Sequence, residues 1–462
     1  MIITTGNLTA KVVAASDQEM SWLRSYLAFE SGDKDTPRRF VTKVRVINLD
    51  NTFPAGFLPL VQKHGPAQGV KVEVVDKRVR PCAPIAEETL PWLRSYQREA
   101  VDRVIKHVRG ILWHPTGAGK TEVAVALGLL FPCNWLFLVN SNHLVNQAAD
   151  RWEKRLELPA GRIGEGSWVV HRFTCATFQT LYARLKDEDE EAINLLSGAQ
   201  GLIVDEAHTL PASSFWDVAM RTKAAFWRIA MSGTPLARGD RRSLLTVGAT
   251  GPVIHRIKPE VLIQAGVLSR PRIRMTKIQH APENAAWQGV YKECVVEGER
   301  RNDAVIALVK RAKKPCMVFV KEIEHGRILE KMLLRSGIQT EFVFGNNSTH
   351  EREGAIRRLV RGEYEVLVAS VVFNTGIDVP ELRSLVVASG GKSVISALQR
   401  VGRGMRVQKD AEGNVVKDSF EVYDFCDEGD RWLEKHTRTR MAAYQKEGYE
   451  VVVESEGSPL LL

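Results

Sequence analysis

Cysteine is scarce in this chain: six among 462 residues, at 82, 133, 175, 294, 316 and 426, with no Cys-x-x-Cys pair. That spacing supplies neither a zinc cluster nor a disulfide framework, and it points to free thiols in a reducing compartment. No run of about 18 uncharged apolar residues occurs, so no membrane span is expected. The opening Met-Ile-Ile-Thr-Thr-Gly-Asn has no basic stretch leading into an apolar one, which argues against secretion and for a cytoplasmic location. Low-complexity tracts and short-period repeats are also missing, which sets aside repeat arrays. Aromatic residues make up only 7% of the chain, and no stacking platform or base-reading signature is apparent among them.

What is present is globular material in quantity. Hydrophobic residues contribute 44% and charged residues 26%, over a length that corresponds to roughly three domains. The formal charge of +9 suits a polyanionic partner, because lysine and arginine displace counterions from a phosphate backbone, although charge alone decides little.

Residues 1–88 mix short β-rich runs at 43–49 and 70–75 with one helical stretch near 16–28. Phe53-Pro54-Ala55-Gly56 reads as a turn, and Pro81, Pro84 and Pro91 read as a linker. This is a small α+β accessory domain. Beyond it, short apolar strands alternate with amphipathic helices. Strands are expected at 111–113, 135–139, 173–176, 202–204 and 227–231, with helices at 120–130, 144–155 and 179–185 between several of them. The alternation resumes with strands at 316–320, 341–344, 366–369, 385–388 and 421–425, and helices at 323–335, 350–361 and 393–401. Such spacing implies βαβ units on parallel sheets, hence an α/β fold. Periodicity weakens over 238–274, where the hinge between two α/β units is placed. The expected domains are 1–88, 89–250 and 251–462.

The segment Ile111-Leu-Trp-His-Pro-Thr-Gly-Ala-Gly-Lys-Thr121 runs from a buried strand through a small-residue loop into a helix. Thr116, Gly117, Ala118 and Gly119 would let backbone N–H groups turn inward around a polyphosphate, aided by the helix N-terminus. Lys120 would pair with the β- and γ-phosphates of ATP, and Thr121 would place its hydroxyl on Mg²⁺. His114 stands where the strict pattern has its first glycine. Leu202-Ile-Val-Asp-Glu-Ala-His208 is an apolar strand ending in two acids. Asp205 would hold the Mg²⁺ through its water shell, and Glu206 would orient and deprotonate the attacking water.

Lys120, Thr121 and the Asp-Glu-Ala-His box resemble superfamily 2 helicases, and further blocks match in order over about 90–440. The resemblance implies two tandem RecA-like parallel-sheet domains. Leu93-Arg-Ser-Tyr-Gln97 resembles the upstream block that reads adenine, which implies contacts from Arg94 and Gln97. Met231-Ser-Gly-Thr-Pro235 resembles the block that couples hydrolysis to strand movement through Ser232 and Thr234, with His208 as a further coupling residue. The stretch 369–378 resembles motif V, implying roles for Thr375, Gly376 and Asp378. Gln399-Arg-Val-Gly-Arg-Gly-Met-Arg406 resembles motif VI, in which Gln399 is a coupling residue. Its Arg403 and Arg406, three apart on one helical face, would neutralise transition-state charge.

Ser141, Asn142 and His143 follow one strand, and Thr177 and Gln179 follow another. Both groups match blocks that touch the sugar-phosphate backbone, yet serine and threonine at those places are equally ordinary helix caps. The cluster Lys310, Arg311, Lys313 and Lys314 reads as a solvated helix end. Arg238-Gly-Asp240 replaces the Arg-Glu-Asp element of strand-separating relatives, which puts a wedge role in doubt. The N-terminal run 53–61 and the tail 431–449 resemble the XPB-like and phage UvsW-type group of DNA helicases. That likeness implies ATP-dependent unwinding or branch migration of branched or duplex DNA in recombination, repair or replication, with recombination or replication proteins as partners. An RNA helicase, and a motor subunit of a restriction-type complex without independent unwinding, are the alternatives.

Overall fold

The computed structural model describes residues 1–31, 42–85, 90–210, 212–233, 235, 243–345, 347–370, 379, 381–391, 407–409, 415–417, 419–446 and 448–454. The chain divides into two compact units, Met1–Pro115 with Gly119–Ile257, and Thr116–Ala118 with Lys258–Leu462.

The first unit begins with a four-stranded sheet in the order β5-β2-β1-β6, where β1 is Ile2–Thr5, β2 Thr9–Ala14, β5 Thr52–Pro54 and β6 Glu73–Asp76. A separate hairpin pairs β3 (Ala28–Ser31) with β4 (Thr42–Arg45). The helix Asp17–Tyr26 starts at Ser16 because a capping box satisfies its first amides. Ser16 Oγ accepts from Glu19 N at 3.3 Å, and Ser16 N donates to the Glu19 carboxylate at 2.8 Å. The expected turn at 53–56 is the end of β5 followed by a single 3₁₀ turn, Ala55–Phe57.

The accessory region does not have a core of its own. Ile3, Ala10, Phe53, Phe57 and Val61 belong to the same buried cluster as Leu136, Leu138, Leu202, Val204 and Val247 of the following α/β sheet. At Gly56 an added Cβ would lie 2.1 Å from Val247 O, so only glycine allows this turn to lie against the helix Ser243–Thr250. Polar stitching completes the join: Asn7 Nδ2 donates to Ala224 O at 3.0 Å, and Arg109 donates to Asn7 O at 2.7 Å.

The α/β sheet of this unit has the order β10-β9-β11-β8-β12-β13-β7-β14. Its strands are β7 (Arg109–Trp113), β8 (Trp135–Val139), β9 (Gly161–Gly164), β10 (Ser167–Val169), β11 (Phe173–Thr177), β12 (Gly201–Val204), β13 (Trp227–Ser232) and β14 (Val253–Arg256). All neighbours are parallel except β9 and β10. Helices on both faces bury the central strands completely, which is why they read as unbroken apolar runs.

The second unit carries a parallel sheet in the order β17-β18-β16-β19-β22-β15-β23. Here β15 is Arg270–Gln279, β16 Cys316–Val320, β17 Thr340–Val343, β18 Val366–Ser370, β19 Ser384–Val387, β22 Ser419–Glu428 and β23 Glu450–Glu454, with a small ribbon of β20 (Gln408–Lys409) and β21 (Val415–Lys417). The stretch 238–274, read as weakly periodic, holds the helix Ser243–Thr250, β14, the helix Pro259–Gln264 and the start of β15. It therefore supplies the last strand of one sheet and begins the first strand of the next. The expected helix at 393–401 lies outside the described residues.

Candidate functional site

The C-terminal ends of β7, β13 and β12 are adjacent, and the chemistry-bearing residues of the first unit leave the sheet there. After β7 the loop 114–119 leads into the helix Lys120–Leu130. Gly117 and Gly119 hold φ of +85° and +74°, in the left-handed region that a side chain disfavours. A Cβ on Gly119 would also lie 2.3 Å from Gln97 Nε2. Gln97 is buried at 3% exposure; its Oε1 accepts from Arg94 N at 3.0 Å, and its Nε2 donates to Gly119 O at 3.4 Å. The adenine-block residues Arg94 and Gln97 are thus joined directly to the loop that also carries Thr116 and Ala118. Lys120 Nζ donates back to His114 O at 3.5 Å.

β12 delivers Asp205, whose amide continues the ladder to Leu138 O at 3.0 Å. Its side chain accepts from Glu206 N at 2.9 Å. Burial pushes the Asp205 carboxyl pKa up, repulsion from Glu206 adds to this, and the Lys120 ammonium opposes it. Glu206 itself adopts φ +48°, ψ +45°, unusual for a side-chain-bearing residue, and a 3₁₀ turn Ala207–Thr209 follows. His208 Nδ1 then lies 3.3 Å from Glu206 Oε2 and 3.3 Å from Ser232 Oγ at the end of β13. The acid and the coupling serine, 26 positions apart in sequence, share one imidazole because β12 and β13 are paired.

Thr121 and Asp205 form an oxygen donor pair, hydroxyl and carboxylate, at neighbouring ends of this sheet. A buried carboxylate with Lys120 as a cation nearby is chemically suited to Mg²⁺, which prefers hard oxygen ligands. Thr234, Thr375, Gly376, Asp378, Gln399, Arg403 and Arg406 lie outside the described residues, as does Arg238-Gly-Asp240.

β8 and β11 are also neighbours, and the two backbone-contact groups follow them. Thr177 caps the helix Phe178–Lys186: its hydroxyl accepts from Thr180 N at 3.4 Å and donates to Thr180 Oγ1 at 2.8 Å. Gln179 Nε2 donates to Asn140 O at 3.0 Å. Ser141 occupies the cap position of the helix Asn142–Leu156 but makes no side-chain cap bond. Ser141 Oγ, Asn142 Oδ1 and Asn140 Oδ1 are all buried without a hydrogen-bond partner, which is rare for buried polar atoms and concentrates unmet hydrogen-bonding capacity here. His143 opens the same helix.

Sequence reading missed one pair beneath the nucleotide loop. His114 Nε2 and His255 Nδ1 of β14 are 2.8 Å apart, with His255 Nε2 3.6 Å from Glu99. Burial lowers both imidazole pKa values, His114 strongly. His114 was visible as a departure from the loop pattern, but nothing local announces a partner more than a hundred residues later.

Residues 91–237 match the family described as type III restriction enzyme, res subunit, and residues 300–408 match the helicase conserved C-terminal domain. The chain is 26% identical over 371 residues to the DNA 3'-5' translocase XPB2 of Sulfurisphaera tokodaii, covering 70% of this chain and 81% of that one. It is 24% identical over 426 residues to the ATP-dependent DNA helicase uvsW of Enterobacteria phage T4, covering 83% of each. Among four of the curated relatives the matched region spans from 51% to 81% of the relative's own length. Among solved structures, the type ISP restriction-modification enzyme LlaBIII bound to DNA aligns with a TM-score of 0.58 at 15% identity, covering 81% of this chain and 32% of that one. That likeness is one of fold.

Proposed function

Because the chain belongs to the superfamily 2 helicases, near their XPB and UvsW members, we propose that it is an ATP-driven motor that unwinds or branch-migrates forked and four-way DNA. The observation that carries this reading is the convergence at one sheet edge of the Lys120 loop, the Asp205–Glu206 pair and a His208 that touches both Glu206 and Ser232.

In this reading Gln97 and Arg94 recognise the adenine, while the amides of 116–119 and Lys120 cradle the phosphates. Thr121 and Asp205 hold Mg²⁺, whose charge neutralises the β- and γ-phosphates. Glu206 orients the attacking water and accepts its proton; the strained backbone at Glu206 fixes the carboxylate's direction. Arg403 and Arg406, with Gln399 beside them, neutralise charge on the transferring phosphoryl, and Thr375, Gly376 and Asp378 act with them in sensing nucleotide and strand. His208 relays the state of Glu206 to Ser232 and Thr234, and so to the strand-gripping residues. Ser141, Asn142, His143, Thr177 and Gln179 contact the sugar-phosphate backbone, which positions a strand without reading its sequence. The unpaired groups at the end of β8 support that role. The likeness to restriction-enzyme motors favours one second reading, a motor that works only inside a larger complex. Recombination or replication proteins are the partners proposed for the first reading.

The test is ATP turnover by the purified chain with no nucleic acid, single-stranded DNA, duplex DNA, a four-way DNA junction and structured RNA. Strong stimulation by branched DNA, lost in Lys120→Ala and Glu206→Gln, is expected. Stimulation by RNA alone would overturn the DNA assignment, and no turnover with any of them would favour the partner-dependent motor.

A further inference from the structure

The second unit contains a buried charged network with no part in the scheme above. Arg301 and Arg440 are 0% and 1% exposed, and they face Asp427 and Asp424, at 1% and 0%. Arg301 Nε donates to Asp427 Oδ1 at 3.0 Å, and Arg440 Nε donates to Asp424 Oδ2 at 2.9 Å. Two buried ion pairs are a poor way to stabilise a core, because desolvation offsets most of their attraction. Their value lies in geometry, since a guanidinium is a rigid fork that can hold two acceptors at a fixed separation.

The second arm of each fork goes to one short stretch of backbone. Arg301 Nη1 donates to Ala388 O at 2.5 Å, and Arg440 Nη1 donates to Gly391 O at 2.7 Å. Between them, Tyr291 Oη donates to Ser389 O at 2.7 Å. Three carbonyls in the four residues leaving β19 are therefore held by side chains from three different helical elements, Trp287–Tyr291, Glu299–Arg311 and Arg431–Lys446. The same stretch holds two successive glycines in the left-handed region, Gly390 at φ +54° and Gly391 at +80°. Such a turn is intrinsically the most pliable point of the exit, and the clamps remove that freedom. About a dozen residues later in the sequence comes Arg403.

We propose that Arg301, Arg440 and Tyr291 are positioning residues for the motif VI arginines, fixing the direction in which the chain leaves β19 so that Arg403 and Arg406 meet the transferring phosphoryl in register. This rests on the motor reading given above. It also gives the C-terminal helix Arg431–Lys446 a task in catalysis, because Arg440 reaches the exit from that helix while Tyr444 supports Asp424 at 3.1 Å.

The test uses the full chain with Tyr291→Phe, which removes one hydroxyl, and Arg440→Lys, which keeps the charge and loses the fork. DNA-stimulated kcat and KM for ATP are measured beside affinities for ADP and for ADP with aluminium fluoride. Misplacement of a catalytic group by about 1 Å costs on the order of 100-fold in rate. Accordingly kcat is expected to fall about tenfold in Tyr291→Phe and about 100-fold in Arg440→Lys. ADP affinity and the melting temperature of Tyr291→Phe stay at wild-type values, while affinity for the aluminium fluoride complex falls in step with kcat. Adding Arg403→Lys to Tyr291→Phe should cost no more than Arg403→Lys alone, because both act through one group. Wild-type kcat in Tyr291→Phe, or losses that multiply with that of Arg403→Lys, would overturn the proposal. If Arg440→Lys does not fold, Tyr291→Phe decides. A wild-type chain with no turnover would instead overturn the motor reading, and this inference with it.

Discussion

Glu206 combines a backbone that few side-chain-bearing residues adopt with a carboxylate held beside His208. The left-handed conformation costs on the order of 1–2 kcal/mol, which the turn bonds from Thr209 to Glu206 O help offset. Strain of this kind persists where orientation matters more than stability. Glu206→Gln keeps the shape and hydrogen-bonding reach but cannot accept a proton. A single-turnover assay should show hydrolysis slowed by about 10²–10⁴-fold with ATP affinity retained. A loss of ATP binding of similar size would mean that Glu206 serves the loop instead. His208→Ala should behave differently: ATP turnover persists while strand displacement is lost, since only the link from Glu206 to Ser232 is cut.

Residue chemistry also sets a pH limit. Burial, with the Arg301 charge adding to it, pushes His325 down to about 3; its Nε2 pairs with Asn302 Oδ1 at 2.9 Å and its Nδ1 has no partner. A folded-state pKa below the unfolded value means the histidine's contribution is complete above about pH 6.5 and is lost as pH falls. Between pH 6.5 and 5 this one group removes roughly 2 kcal/mol of stability. His114 and His255 add in the same direction. His325→Leu, which deletes the ionisable ring, should flatten the denaturant-measured stability profile over that interval. An unchanged slope would show that His325 does not remain neutral in the folded protein.

Among the elements, the capping question at the ends of β8 and β11 can be settled by stability and binding together. Thr177 makes a cap bond and Ser141 does not, although both precede helices. Thr177→Ala should cost about 1 kcal/mol of stability. Ser141→Ala should leave stability within about 0.5 kcal/mol of wild type and weaken single-stranded DNA binding, with a smaller effect at high salt. Ser141→Ala with unchanged DNA affinity would leave the backbone-contact role without support. The same comparison shows what could be read from sequence. The central strands β8 and β16 stand where their unbroken apolar runs place them, because strands buried on both faces have no polar positions to blur their ends. β15 escaped notice because arginine and lysine punctuate it. In the fold those charges are paired, Arg274 with Glu421 at 3.3 Å and with Glu454 at 2.6 Å, and Lys277 with Glu428 at 3.1 Å, all partners on neighbouring strands. The nucleotide loop and acidic box were legible because each is a contiguous string after a strand. The meeting of His208 with Ser232, the His114–His255 pair and the clamps on 388–391 were not, since each depends on which strands lie side by side.

At the scale of the whole chain, the sequence suggests an N-terminal domain that could be removed, with prolines at 81, 84 and 91 marking the cut. The shared core argues otherwise. Phe53 and Val61 are 0% exposed within a cluster that includes Leu136, Leu202 and Val204, so removal of residues 1–80 would uncover the face of a motor sheet. Arg109 would lose its bond to Asn7 O in a site where burial already lowers its pKa to about 10. Losing several large apolar side chains from a common core costs about 3–5 kcal/mol for each phenylalanine, which exceeds much of a typical domain's stability. A chain beginning at residue 81 is therefore expected to aggregate or to melt well below the full protein, with nucleotide binding lost along with the fold. Gly56→Val offers a gentler version, because it forces the 55–57 turn away from Val247 without deleting any core residue. It should lower the melting temperature of the first unit while leaving the second unit's transition in place. If the truncated chain instead folded and hydrolysed ATP at the full-length rate, the N-terminal region would be an appended module, and its purpose would have to be sought in what it binds rather than in what it holds together.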